Sequence, residues 1–386
     1  MRAPVGDMEL PPEADRTAGA PHPRETLHLF GQTAAETDFL DAFNADRLHH
    51  AWLITGPKGV GKATLAWRIA RFLLDRPIDA GHDGGMFRDA IARPNADTLQ
   101  IGYDTPVYRR SAQLAEPRLC LVRRAWDAKK GKHAAQISVD EVRKLNSFFH
   151  MSAADGGRRV VIVDAADELN VSAANALLKT LEEPPKDAFL LLVSHQPSRL
   201  LPTIRSRCRE LRLGPLDPEN LAQALDAAGF DAADRTDALA ELAGGSVGEA
   251  LRLTNQDGIE TYAELIALFS KMPQFERPRA LKLAESCVGA ANVARYDLVV
   301  GLMDKFLIRL ARSGAGRPPL VEAANGEAAL MVRLAPEGQA AKAWAVLQQT
   351  LSARAAHAKA VNLDPAALIL DMIFEINDTA SRVAAP

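Results

Sequence analysis

The segment Gly56-Pro-Lys-Gly59-Val-Gly61-Lys62 limits what this chain can fold into more than any other. It follows an apolar β-type run, Ala51–Thr55, and precedes an amphipathic run, Ala63–Leu74, so the glycines and lysine stand where a strand turns into a helix. In that setting the glycines let backbone N–H groups converge on phosphate oxygens, the helix N-terminus adds positive potential, and Lys62 supplies a point charge. Gly56, Gly59, Gly61 and Lys62, with Ala63 and Thr64 behind them, are therefore candidate nucleotide-binding residues. The competing reading is a tight glycine turn that does no more than start a helix.

Four more runs read as buried strands: Thr98–Ile101, Val160–Asp164, Phe189–Ser194 and Arg209–Leu213. Helical segments separate them, which predicts an α/β fold with a five-stranded parallel sheet. Ser138-Val-Asp-Glu141 is a capping box that opens a helix with Val142, Leu145 and Phe149 on its apolar face. Ser172–Glu182 is rich in Ala and Leu and stops before Pro184-Pro185, which cannot continue a helix. After Gly214-Pro215 no strand-like run occurs, and everything onward reads as helix. The expected organisation is a disordered leader over 1–23, an α/β core over 24–213, a small helical lid over 214–256 and a helical domain over 257–386. The stretch 81–135, with its Gly, Pro and basic clusters, is the least legible.

A chain of 386 residues has room for these parts. Lys plus Arg is 46 against 49 Asp plus Glu, so a globally basic nucleic-acid coat is excluded, although a local basic face is not. Arg123, Arg124, Trp126, Lys129, Lys130 and Lys132 form such a cluster, read as a solvated loop in preference to a DNA-facing one. Three cysteines, Cys120, Cys208 and Cys287, are too few and too scattered for a disulfide framework. No run is long and apolar enough to span a membrane, and the first residues lack the apolar stretch of a signal peptide. A cytoplasmic protein with no membrane partner is expected. His49-His50 has no acidic or cysteine companion nearby and reads as packing at the strand entry or in an adenine pocket, not as a metal site.

Two hydrolytic groups are missing. A phosphate-binding loop of this kind normally continues from its lysine into Ser or Thr, whose hydroxyl ligates Mg²⁺. Here Ala63 stands there, and Thr64, one residue on, points about 100° away around the helix. Arg159-Val-Val-Ile-Val-Asp164 has the form of the second acidic element, with Asp164 placed to hold Mg²⁺ through water. A glutamate that polarises the attacking water would follow it, but Ala165-Ala-Asp167 follows instead. The plainer alternative for Asp164 is a strand-end residue that caps a turn.

Leu48-His-His-Ala-Trp-Leu53, the Asp164 strand, Asn175-Ala-Leu-Leu-Lys-Thr-Leu-Glu-Glu-Pro-Pro185 and Ser206-Arg207-Cys208 together resemble the bacterial clamp-loader branch of the AAA+ proteins. Within it the chain most resembles the delta-prime subunits of DNA polymerase III, and Asn362-Leu-Asp-Pro365 before an apolar helix agrees. The resemblance implies a RecA-like core, a helical lid and a helical collar that joins subunits in an arc. It implies gamma/tau and delta subunits as partners, with the sliding clamp and primer-template DNA reached through the complex. It gives Arg207 the role of an arginine finger acting in trans on a neighbour's ATP, with an internal salt bridge and a competing Arg205 as the alternatives. It also places Ser194 at a polar sensor position, and Gly248 where motor subunits carry a sensor arginine. ATP or ADP, with weak Mg²⁺ dependence, is the implied cofactor. Many relatives carry a four-cysteine zinc module between the loop and the Asp164 strand, but only Cys120 lies there, so no zinc is expected. A catalytically active AAA+ ATPase of the gamma/tau type is the rival reading. Ala63, Ala165 and Gly248 argue against it.

Overall fold

Among the described residues seven strands follow one another: β1 (Ala51–Thr55), β2 (Leu119–Val122), a short hairpin of β3 (Trp126–Asp127) and β4 (Lys132–His133), then β5 (Arg159–Asp164), β6 (Ala188–Ser194) and β7 (Arg209–Arg212). This computed structural model describes residues 13–17, 20–76, 95–150, 157–230, 235–336 and 338–384. All strands but the hairpin pair join one parallel sheet in the order β2-β5-β6-β1-β7. β1, which leads into the glycine loop, therefore lies between β6 and β7. The five residues of β1 are all buried, as are Val160–Asp164 of β5. Helices cover both faces of such a sheet, which is why these runs are continuously apolar and do not alternate.

The chain divides into two compact units, residues 1–230 with Ser246–Gly248, and residues 231–245 with 249–386. The stretch expected as a separate lid, 214–256, is shared between them. The first unit carries α1 (Thr33–Asn44), α2 (Lys62–Asp75), α3 (Pro106–Ala112), α4 (Val139–His150), α5 (Val171–Glu182), α6 (Pro202–Arg205) and α7 (Pro218–Ala227). Asn170 caps α5 by accepting from the Ala173 amide at 2.8 Å, and Asp217 does the same for α7. Leu177 and Leu181 of α5 pack with Val142 and Leu145 of α4 and with Val161 and Val163 of the sheet.

Helices make up the second unit: α8 (Thr236–Ala243), most of α9 (Val247–Asn255), α10 (Gly258–Phe269), α11 (Arg277–Glu285), α12 (Val293–Gly314), α13 (Glu327–Leu334), α14 (Gly338–Ala360) and α15 (Pro365–Ala384). Phe269 and Phe306 stack with ring centroids 4.8 Å apart, and Trp344 is fully buried with its indole N–H donating to the Leu334 carbonyl at 2.8 Å. No helix among the described residues is long and apolar enough to cross a membrane.

Two expectations need correction. Thr98–Ile101 is not a strand, and only Leu99 of that run is buried. The fifth strand is Leu119–Val122 instead, on the sheet's edge beside β5. Its four apolar residues lie between Arg118 and Arg123, and those charges disguise an edge strand as a loop. The leader expected to be disordered is packed where it is described: His22 is fully buried, and Glu13 and Asp15 are ion-paired. Its charges look solvated in the sequence because their partners, such as Arg123, lie far along the chain. Residues 1–12 and 18–19 of the leader lie outside the described residues.

Candidate functional site

Strand register brings the predicted residues together. Thr55, the last residue before the glycine loop, pairs with Ser194, while Asp164 pairs with Val193, the neighbour of Ser194. The loop, Ser194 and Asp164 thus stand side by side at the carboxyl ends of three adjacent strands, where open parallel sheets bind ligands. The loop has the backbone that its glycines permit. Gly61 takes φ +99° as it caps α2, and a Cβ there would lie 2.5 Å from Leu29 Cδ1. Gly59 takes φ +81°, and a Cβ there would lie 2.3 Å from Ser246 Oγ.

Lys62 opens α2 with its side chain buried, and its ammonium donates to the carbonyls of Gly56, at 2.8 Å, and of Pro57. Burial lowers its pKa to about 8, against the opposing pull of Asp164 and Asp167. Asp164 is also buried, and its pKa is raised to about 7, by burial first and then by Asp15 and Glu168, with Lys62 pulling the other way. The loop's lysine and the β5 carboxyl beside it therefore carry charges that are both expensive to maintain without company.

Around this pair the hydrolytic positions are filled by apolar or committed groups. Ala165 is buried and has no side-chain oxygen. Asp167, the nearest carboxylate along the chain, accepts the His195 backbone amide at 2.8 Å. Gly248 donates its amide to the Gly59 carbonyl at 3.1 Å, and Ser246 Oγ donates to the Lys58 carbonyl at 2.9 Å. A Cβ at 248 would already be 3.2 Å from Gly59 Cα, so an arginine there would meet the loop backbone.

Among the described residues two polar atoms at this edge find no hydrogen-bond partner: Ser194 Oγ, fully buried, and His195 Nδ1. Burial, then Lys62, depresses the His195 pKa to about 4, so the ring is neutral near pH 7. Sequence reasoning found Ser194 but missed His195, whose only signal was its place after an apolar strand. The glycine loop, Lys62 and the orphaned Ser194 Oγ suit a phosphate-bearing ligand. The Mg²⁺ site is incomplete, because Ala63 offers no side-chain oxygen and Asp164 alone remains of the expected ligands. Among the described residues no group of three or more His, Cys, Asp or Glu could hold a metal ion.

Arg207 follows α6 and precedes the edge strand β7. It is about one-third exposed, and its guanidinium donates to the Thr203 carbonyl at 3.0 Å and meets Glu182 Oε1 at 2.8 Å. Arg207 thus makes an ion pair, to a partly exposed Glu182. Arg205 is exposed. The basic cluster is partly spent internally, since Arg123 meets Asp15 and Arg124 meets Glu168 at 2.7 Å. His49 and His50 stack at 4.4 Å, and His50 Nε2 lies 3.0 Å from the Leu181 carbonyl, consistent with packing at the strand entry.

Residues 31–217, the part of the chain that carries this sheet and loop, match the family model described as DNA polymerase III, delta subunit. A DNA polymerase III subunit delta′ from Pseudomonas aeruginosa is 39% identical over 61% of this chain and 65% of its own length. The Escherichia coli subunit delta′ is 32% identical over 56% of this chain and 58% of its own. The chain is similar to the DNA polymerase III delta-prime subunits. These matches span less than two thirds of the relatives' own length. The Escherichia coli subunit tau is also similar, at 27% identity over 69% of this chain and 39% of tau. Among solved structures, a DNA polymerase III gamma subunit-related protein from Thermotoga maritima is similar at 15% identity, covering 89% of this chain and 100% of that one, with a TM-score of 0.44. In this chain the glycine loop keeps its frame, while Ala63 and Ala165 stand at two of the hydrolytic positions.

Proposed function

We propose that this chain is the stator of a bacterial clamp loader, the delta-prime subunit that supports ATP-dependent loading of the sliding clamp on primed DNA without hydrolysing ATP itself. One observation carries this: the loop and its strand neighbours are intact, while Ala63 removes the hydroxyl that would ligate Mg²⁺ and Ala165 with the committed Asp167 leaves no side chain there to activate water. The chain would work in the cytoplasm beside gamma/tau and delta subunits, and reach clamp and primer-template DNA through them. ATP or ADP would be held by the glycine loop, Lys62 and Ser194, as a structural ligand with weak dependence on Mg²⁺.

Arg207 would act in trans. Exposed ion pairs contribute about 0–1 kcal/mol, so Glu182 parks the guanidinium without locking it, and a neighbour's γ-phosphate, with more charge, can replace the carboxylate. There the arginine would stabilise charge that develops as the phosphoryl group transfers.

The test is DNA- and clamp-stimulated ATP hydrolysis by the reconstituted complex, comparing wild type with Arg207→Ala. A finger contributes about 10³–10⁵ in rate at its own site, so silencing one site should depress total turnover and loading while assembly stays intact. Unchanged turnover by a normally assembled variant would remove the finger and leave an architectural subunit. Similarity to tau keeps a motor in view as a second reading. Mg²⁺-dependent hydrolysis by the isolated wild-type chain would establish it.

A further inference from the structure

Residues 13–17 and His22, outside the part matched by the family model, lie near the glycine loop and the helix that follows it. Two carboxylates and three cationic or proton-bearing side chains fix this segment. Asp15, almost fully buried, meets Arg123 at 2.6 Å and His22 Nε2 at 3.1 Å. Glu13 pairs with Arg24 and lies 3.2 Å from Arg123. His22 is buried edge-on against Trp67 of α2, the helix that Lys62 begins, with ring centroids 6.2 Å apart. Its Nδ1 accepts the Arg24 backbone amide at 3.0 Å, which leaves the proton on Nε2, facing Asp15.

Thr17 brings the same segment to the loop itself. Its Oγ1 lies 3.8 Å from where a Cβ on Gly248 would be, and Gly248 is bonded to Gly59. Asp15 also contributes to the field at Asp164, one of the two charged groups flanking the phosphate position. A polyphosphate on the loop would add negative charge beside Asp15 and Asp164 together. Like charges several ångströms apart in a partly buried site repel.

We propose that Glu13–Thr17 is an acidic strap that competes with nucleotide for the loop, docking on Arg123 when the loop is free and leaving when a nucleotide is bound. This rests on the loop being a nucleotide cradle. The strap would make nucleotide occupancy of the subunit a signal that frees the leader, and not a step in hydrolysis.

The experiment measures binding of a fluorescent ADP analogue, with and without Mg²⁺, to three full-fold proteins: wild type, Glu13→Gln/Asp15→Asn, and a chain lacking residues 1–17. The double variant keeps side-chain size and all of α2, so it serves if the truncation fails to fold. Affinity is expected to rise about tenfold or more in both altered proteins. Saturating ADP should also raise amide exchange at residues 13–17 and 22–25 of the wild type. Equal affinity in all three proteins, or binding to wild type without faster exchange in the strap, would overturn the strap and leave the cradle standing. Absence of binding by all three would overturn both, and the Arg207 test on the assembled complex would still judge the stator reading.

Discussion

The carboxylate of Asp167 accepts the backbone amide of His195 at 2.8 Å, tying the end of β5 to the end of β6. A carboxylate engaged in this way holds two strand ends in register and is not free to orient a water. Asp167→Ala is expected to leave ATP turnover of the reconstituted complex unchanged while it lowers stability by about 1–3 kcal/mol, the usual effect of leaving one buried donor unpaired. Thermal melting of the isolated chain checks the second half. A fall in turnover per assembled complex, with melting unchanged, would contradict the assignment.

Gly248 faces the loop backbone where a motor subunit would project an arginine. Gly248→Arg should therefore produce no Mg²⁺-dependent hydrolysis. It should also lower the melting temperature, because the new Cβ sits 3.2 Å from Gly59 Cα and overpacked sites cost about 1–3 kcal/mol. Hydrolysis by that variant, measured as phosphate release, would show that Ala63 and Ala165 are not decisive.

These two positions show what the sequence could reveal. Ala63, Ala165 and Gly248 were legible as departures because the motif fixes what should stand there. The partners of Asp167 and Gly248 were not, since a backbone amide 28 residues away leaves no trace in composition. The same reason separates the strands. β1, β5 and β6 are buried on both faces and read as apolar runs, whereas β2 lies at the edge, half-buried, with arginines at both ends. Thr98–Ile101 carries two apolar residues in alternation, which imitates a strand, yet one buried leucine suffices to anchor it as a loop. The leader was misread because Glu13, Asp15 and His22 look like a solvated charge mixture until Arg123 is brought to them.

Asp164 gives the chain a pH signature. Its pKa rises from 3.8 to about 7 on folding, so between those values the folded chain retains a proton that the unfolded chain releases. Stability then falls as pH rises through that window, by at most about 1.4 kcal/mol per pH unit from this group, and the penalty is complete above it. Asp164→Asn cannot ionise and escapes the penalty. Its urea midpoint, relative to wild type, should be higher at pH 8 than at pH 5. Midpoint differences that are equal at the two pH values would mean that Asp164 titrates near its ordinary value.

The second unit depends on a network that no motif announced. Glu327 is almost fully buried and accepts from the Tyr262 hydroxyl at 2.5 Å, from Arg309 Nε at 2.7 Å and from the Ala323 amide at 2.7 Å. Arg309 extends it to Glu241 at 2.6 Å, which joins α8, α10, α12 and the start of α13. Burial, then the nearby Glu327 charge, pushes the Tyr262 hydroxyl pKa up, so it stays a donor at any working pH. Removing one partner of such a set strands the others, and Glu327→Ala is expected to cost about 3–5 kcal/mol, against about 1–3 kcal/mol for Tyr262→Phe. Denaturant unfolding monitored by the fluorescence of Trp344, buried in this unit, would compare the two. Because helices here pack through that charged centre, Glu327→Ala should weaken assembly of the reconstituted complex in proportion to its loss of stability. An assembled complex that tolerates Glu327→Ala as well as Tyr262→Phe would show that the surrounding apolar packing alone holds these helices in place.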